Sequence, residues 1–478
     1  MSTIRRVIKN TGWLTIAEAF GKGIGFVVTI VVARYLGDSE FGKYSFAMAT
    51  VIVFAVLVDF GFHVFLAREI SRNKDKIKEY ISNITFLKII FSIITYLILV
   101  GFLFIVGKPD DVKYFVYLSG IYMILNSFNV TLRGIYQGVE KMQYHAINYI
   151  LEKIIYILLI FLFVTLDFGI PGIMYALIIS SAIGLSYNII TVFKKFTFFL
   201  PKFKKSTIKF ILKESSWFLL TGIFVAVYFK IDIVMLSIMK TDEVVGHYNA
   251  AYNLLFAFLF IPGVLTMPLL PVFSRYYKNN KDKLKKLISP LITYFLIAGA
   301  MLVFIFITLG PIVVGILYGQ EFEPTKFLFQ LLSFSFFFVF INYLLSALLS
   351  SVNKQKYSTI AAFVAMLINI IINLILIPKY GAAGAAIATI ATEATVLLIS
   401  IILLNRAISH FSKNNIYKYI LLAASLIISS FALYYLYFFN AALALTVSLI
   451  ILIILIILFK IVNLKDMKSV LSLIQKKD

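Results

Sequence analysis

Apolar residues run through this chain in blocks of about twenty, the length that crosses a bilayer as an α-helix. The blocks predict fourteen spans, near residues 12–35, 43–66, 80–106, 113–137, 145–166, 171–193, 215–238, 246–271, 287–310, 326–350, 357–377, 382–404, 418–438 and 441–460. The last two come from one stretch. Residues 419–459 carry no Asp, Glu, Lys or Arg and measure about twice one crossing, so a hairpin turning near Asn440 is expected. The eighth span holds Pro262, Pro268 and Pro271. Each removes a backbone donor and disfavours straight helix, so this span is expected to bend, with Pro271 equally suited to marking its end.

The connections between spans repeat. "GDSEFGKYSFAMA" (37–49) is matched by "KTDEVVGHYNAAY" (240–252), and "NKDKIK" (73–78) by "NKDKLK" (280–285). "GVEKMQYHA" (138–146) is matched by "SVNKQKYST" (351–359), and "DFGIPGIMYA" (167–176) by "KYGAAGAAIA" (379–388). The matches occur in order and at the same places relative to the spans, the mark of an internal repeat. Six spans per unit is an even number, so both units begin on the same side and form parallel repeats about an axis along the membrane normal. The expected organisation is an N-lobe over residues 1–200 and a C-lobe over 201–410 that begins with a basic cytoplasmic linker. Residues 411–478 add two spans and a short cytoplasmic tail. The fold class is therefore an all-α integral membrane protein of two six-helix lobes plus two C-terminal helices. Its natural cavity lies between the lobes, and rocking the lobes would give alternating access.

Composition agrees with this and removes other classes. Of 478 residues 61% are hydrophobic and 14% charged, which leaves no soluble domain of useful size. Cysteine is absent, so disulfide and thiolate chemistry are excluded. The net charge of +22 would suggest nucleic acid in a soluble protein. Here Lys and Arg gather on alternate connecting segments, which places both termini in the cytoplasm of a cell-membrane protein and makes the charge a topology signal. It also suits anionic lipid on the inner face, and no nucleic-acid partner is expected. The N-terminus reads as a cytoplasmic tail rather than a cleaved signal. Residues 201–215 and 466–478 mix lysine with apolar residues and are expected to lie flat on the inner surface.

Charges inside the spans are the candidate chemistry, because each costs about 3 kcal/mol at mid-bilayer depth. Glu18 and Lys22 are four residues apart on one helical face, with Lys22 near mid-membrane. They read either as a self-neutralising pair that joins helices or as a cavity-facing pair whose lysine attracts phosphate. Gly21 and Gly25 on an adjacent face would let another helix approach. Lys230 and Asp232 point to nearly opposite sides and cannot pair directly. Glu393 lies near mid-membrane, either neutralised by a basic partner or protonatable and so a candidate for ion coupling. By the repeat offsets Glu18 and Lys22 fall opposite Gly222 and Ala226, Lys230 opposite Phe26, and Glu393 opposite Ser181. Charges needed only to build a lobe should tend to recur in both, so a central cavity role is expected for Glu18, Lys22, Lys230, Asp232 and Glu393. Asp59, Lys88, Arg133, Glu152 and Lys153 lie nearer the cytoplasmic ends. Snorkelling accounts for the basic ones, and together they could form a cytoplasmic portal for a phosphorylated sugar head. Asn369 and Asn373 read as helix-linking amides.

The stretches "ARYLGDSEFGKYSFA" (33–47), "RGIYQGVEKMQYHA" (133–146), "ILYGQEFEP" (316–324) and "KYGAAGAAIAT" (379–389) resemble those of polysaccharide transporters. These belong to the multidrug/oligosaccharidyl-lipid/polysaccharide (MOP) superfamily, with O-antigen flippases, lipid II flippases and MATE drug exporters. The resemblance covers roughly residues 10–410 in matching order. It implies a MATE-like fold and a flippase that carries a polyprenyl phosphate- or diphosphate-linked oligosaccharide from the cytoplasmic to the outer leaflet. It implies no catalytic residues, no metal and no cofactor beyond coupling to H+ or Na+. The implied setting is cell-surface glycan assembly, by a monomer in contact with membrane lipid and with glycan-assembly enzymes. The alternatives are an ion-coupled drug or cation exporter of the same fold and a lipid II flippase. For the latter, the eighth span lacks the basic cavity residues such proteins tend to carry, with none before Arg275. An ATP-driven pump is excluded by the absence of a G-x-x-x-x-G-K-[ST] stretch. A membrane glycosyltransferase is disfavoured by outer loops too short to hold catalytic acids.

Overall fold

The computed structural model describes residues 3–352, 355–408, 413–437 and 440–462, and these form helices without a strand. They are α1 (Thr3–Asp59), α2 (Phe62–Arg72), α3 (Ile77–Val106), α4 (Asp110–Gly138), α5 (Met142–Thr165), α6 (Gly169–Lys195), α7 (Lys205–Met239), α8 (Asp242–Ala257), α9 (Phe260–Thr266), α10 (Leu269–Asn279), α11 (Lys281–Tyr318), α12 (Glu323–Ser351), α13 (Gln355–Ile408), α14 (Lys413–Tyr437) and α15 (Ala441–Leu458). Among the described residues eleven stretches are long and apolar enough to cross a membrane. Their outward faces are apolar: on α3, Leu97, Phe104 and Ile105 are 64%, 67% and 88% exposed. Such a surface is stable only against lipid. The protein is a multi-pass membrane protein.

The two longest helices each hide a break. Gly37 in α1 (φ 74°, ψ 177°) and Gly381 in α13 (φ 57°, ψ −132°) leave the helical region for conformations that an L side chain rarely adopts. Each helix is therefore two helices that meet at a glycine. The eighth apolar block is bent, as its prolines predict. It is split into α8, α9 and α10, with Pro262 early in α9 and Pro268 capping α10. Pro271 does not end a helix. It sits in the first turn of α10, where its missing N–H would have had no acceptor. Asn440 caps α15, accepting from the Leu443 N–H at 3.0 Å.

The chain forms two compact units, Met1–Asn249 and Ala250–Asp478, which divide within α8. In the first, α1 packs on α4, α5 and α7, and α6 on α4 and α5. Phe65, Leu66, Ile84, Ile135, Val192 and Ile211 build a core where α2, α3, α4, α6 and the start of α7 converge. In the second unit α12 lies between α11 and α13, and α14 pairs with α15 against α11.

Residues 201–215, whose composition suggests a segment lying on the inner surface, divide into two parts. Residues 197–204 are an irregular strap tied to the start of α3, and 205–215 are the first turns of α7. The Lys202 N–H donates to the Ser82 carbonyl at 3.1 Å, the Lys204 N–H to Asn83 Oδ1 at 2.8 Å, and Lys204 Nζ pairs with Glu79 at 2.7 Å. The tail at 466–478 falls outside the described residues.

Just beyond the Gly37 break, α1 crosses α8 within the first unit. A methyl group on Gly42 would strike the Asp242 carbonyl, and one on Gly246 would strike the Asp38 carbonyl. The crossing is reciprocal and backbone to backbone. Asn249 Nδ2 donates to Ser45 Oγ at 2.6 Å, and His247 Nε2 meets Asp38 at 3.0 Å. Neither contact survives if the helices are pushed apart. Gly42→Leu should lower the thermal midpoint of the purified protein by several degrees, as overpacking costs of about 1–3 kcal/mol imply. Gly23→Ala, where nothing lies within 4 Å of the added methyl, should not lower it.

Candidate functional site

Polar side chains of α1, α4, α5 and α6 converge inside the first unit. Asn129 and Arg133 are one turn apart on α4, Asn148 and Glu152 one turn apart on α5, and Ser181, Gly184 and Asn188 lie along one face of α6. Arg133 is 6% exposed and donates to Glu152 and, at 2.6 Å, to Asn148 Oδ1. Asn148 donates to the Gly184 carbonyl at 2.8 Å. Asn188 donates to Asn129 Oδ1 at 2.8 Å, and Asn129 to the Ser181 carbonyl at 2.8 Å. A methyl group on Gly184 would come within 3.3 Å of Glu152 Oε2, so this glycine leaves room for the carboxylate. Asp, Glu and Arg are tolerated at such depth only when paired in this way.

The network opens towards a half-buried face. Arg133 lies 5.1 Å from the ring centre of Tyr149, and Lys153 lies 5.5 Å and 5.7 Å from the rings of Tyr149 and Tyr156. Gly21 of α1 packs so closely on Tyr149 that a methyl group there would clash with the ring. Glu18, one turn earlier, is exposed and in electrostatic reach of Tyr149 and Lys153. Lys22 is exposed as well, and Gly25 beyond it meets nothing within 4 Å. Gly25 therefore serves no helix packing here, in contrast to the small-residue pairing expected of it. The face thus presents Glu18 and Lys153 around aromatic rings, with Arg133 and Glu152 beneath and the exposed Lys22 one turn of α1 beyond Glu18. Basic groups outnumber acidic ones.

The remaining candidates lie elsewhere. Lys88 is fully buried, donates to Ser127 Oγ at 2.7 Å and lies 3.7 Å from Asp59, so it does not snorkel, and neither does Arg133. Lys230 of α7 is half-buried, and Asp232 is buried, accepting from the Tyr248 hydroxyl at 2.8 Å. In the second unit Glu393 is buried and accepts from Asn342 Nδ2 at 2.8 Å, while Asn373 donates to Asn369 at 3.0 Å. The structure thus brings together Glu18, Arg133, Glu152 and Lys153, with Lys22 one turn away. Asn129, Asn148, Tyr149, Tyr156, Ser181 and Asn188 belong to the same site but were not singled out from the sequence. Their signal was available as polar residues spaced four or seven apart within apolar blocks. Among the described residues no cluster of three or more His, Asp and Glu could hold a metal ion.

The model of the polysaccharide biosynthesis protein family matches residues 7–277, more than half the chain. The chain belongs to that family. Residues 218–375 also match the MatE family model. Among curated proteins, this family member is 24% identical over 377 residues to the probable low-salt glycan biosynthesis flippase Agl15 of Haloferax volcanii, covering 78% of each chain. It is 23% identical to a putative O-antigen transporter of Escherichia coli K12, over 81% of this chain and 94% of that one. Among solved structures, the lipid II flippase MurJ in an inward closed conformation superposes with a TM-score of 0.69 at 17% identity, covering 93% and 98% of the two chains. An inward-facing MATE family multidrug transporter of the MOP superfamily gives 0.64 at 15% identity, covering 81% and 94%. At these identities the structures establish the fold, which is that of the MOP superfamily, and the named relatives are transporters and flippases rather than enzymes.

The buried ion pair gives a stability test. Glu152→Ala strands the Arg133 guanidinium and should destabilise the protein by about 3–5 kcal/mol. Replacing both together, Arg133→Met with Glu152→Leu, should recover most of that loss in thermal unfolding of the solubilised protein.

Proposed function

We propose that this polysaccharide biosynthesis family protein flips a polyprenyl phosphate- or diphosphate-linked oligosaccharide from the cytoplasmic to the outer leaflet. The observation that carries the reading is the basic excess on the face formed by Glu18, Lys22, Tyr149, Lys153 and Tyr156. A lysine near mid-membrane attracts phosphate, and tyrosine rings offer flat faces and hydroxyls to sugars. The lipid tail needs only apolar surface. Fourteen crossings, termini in the cytoplasm and two parallel six-helix repeats complete the proposal. The positive-φ glycines at 169 and 381, which the repeat places opposite one another, and the reciprocal Gly42 and Gly246 crossing support it. A cation exporter would call for an acidic aromatic site, the reverse of the bias seen at Lys22 and Lys153.

Lys22→Ala should slow flipping of a fluorescent lipid-linked saccharide in reconstituted vesicles about tenfold, the loss of one charge-assisted contact. Membrane insertion should be unchanged. Wild-type flipping by this variant removes Lys22 from the site. A strain lacking the protein should accumulate lipid-linked saccharide in the inner leaflet. Drug sensitivity without such accumulation supports the exporter instead.

A further inference from the structure

Between α1 and α2 the chain breaks sharply. Phe60 (φ 49°) and Gly61 (φ 74°) take left-handed conformations in succession, which phenylalanine adopts only at a steric cost. The break is clamped on two sides. A methyl group on Gly61 would strike Phe218 Cβ of α7, and one on Gly134 of α4 would strike the His63 carbonyl.

Asp59 sits at the centre of this break. Its Oδ2 accepts from the Gly61 N–H at 3.2 Å and lies 2.6 Å from His63 Nδ1. Its Oδ1 is buried without a hydrogen-bond partner, 3.7 Å from Lys88 Nζ. Lys88 has no exposed surface and is flanked by the rings of Phe62 and Phe128 at 5.9 Å and 5.6 Å. The His63 side chain, by contrast, is 38% exposed. The three groups run in order from a sealed cation, through one carboxylate, to an imidazole that reaches the surface.

This order assigns the roles. Lys88 needs an ionised Asp59 close by, since a buried ammonium without a counter-ion is costly, so Asp59 keeps its charge. His63 is the member that solvent can protonate, and imidazole is the side chain whose charge changes between about pH 5 and 8. Other charges on the surrounding elements are engaged. Arg133 of α4 pairs with Glu152, and Arg68 of α2 pairs with Glu69 and with Glu214 of α7. With a proton on His63, Asp59 is shared between two cations and drawn towards the imidazolium. Its hold on Lys88 and on the Gly61 N–H weakens correspondingly.

We propose that His63, oriented by Asp59, is a proton-binding site whose occupancy sets the geometry of the α1–α2 break. The use of that movement in transport rests on the flippase reading, whereas the proton site stands without it. The test therefore needs no substrate. The chain has two tryptophans, Trp13 and Trp217, and Trp217 adjoins the Phe218 that clamps Gly61. In the Trp13→Phe protein, Trp217 fluorescence in nanodiscs should follow pH through a one-proton transition. His63→Gln in that background should abolish it. Asp59→Asn should change its midpoint, because the carboxylate is the imidazole's direct neighbour. A transition that survives His63→Gln with the same midpoint overturns the proposal, as does a flat titration of the Trp13→Phe protein.

Discussion

A guanidinium held between helices, out of reach of water, governs the interior of the first unit. Arg133 lies near the end of α4 but turns inward, and its charge is balanced where it lies, by Glu152 and by the Asn148 amide oxygen. Asn148 in turn spends its own N–H on the Gly184 carbonyl, and Gly184 is small because Glu152 lies beside it. Each requirement creates the next, and three helices are thereby set in rotation and depth. Lipid tails are as apolar as leucine and give helices little reason to choose one face over another. Polar satisfaction supplies that choice.

The same rule explains why the exposed charges stand out. Glu18 and Lys22 are exposed on α1. On the adjacent face Gly21 is pressed on Tyr149, while one turn on a methyl group at Gly25 would meet nothing within 4 Å. Packing along this face ends between the two glycines. A charged residue on an open face within the apolar length of a span requires water or a polar ligand opposite it. Lys153 adds a second positive charge within reach of Glu18 and is steadied between two tyrosine rings.

Backbone breaks set a second pattern. At Gly37, Phe60, Gly61 and Gly381 the helical run stops within or at the edge of an apolar stretch. Those at Gly37 and Gly61 adjoin close packing against a helix far away in sequence. The strand of chain after Gly37 runs straight into the Gly42 and Gly246 crossing, and Gly61 lies against α7. Bends placed at such contacts give rigid segments definite positions about which to turn, while each segment keeps its own hydrogen bonds satisfied.

The apolar helices and the separations at Gly37 and Gly381 could be read from the chain alone, whereas the break at Phe60 and Gly61, inside the expected span 43–66, could not. Hydropathy over twenty residues is a local sum, and the thickness of a bilayer supplies the ruler. The bent eighth span was legible for the same reason, since proline acts on its own helix. What partners a side chain finds was not. Lys88, placed near a helix end, suggested a snorkelling lysine, yet it is sealed against Ser127 and Asp59. Lys202 and Lys204, in a stretch with the composition of a membrane-surface segment, are tied to Ser82, Asn83 and Glu79 at the start of α3. His63 drew no notice until its ring was found on Asp59. Periodicity tells which residues share a face, but the rotation of that face, and the helix it meets, depend on packing between segments distant along the chain. Only the folded structure decides these.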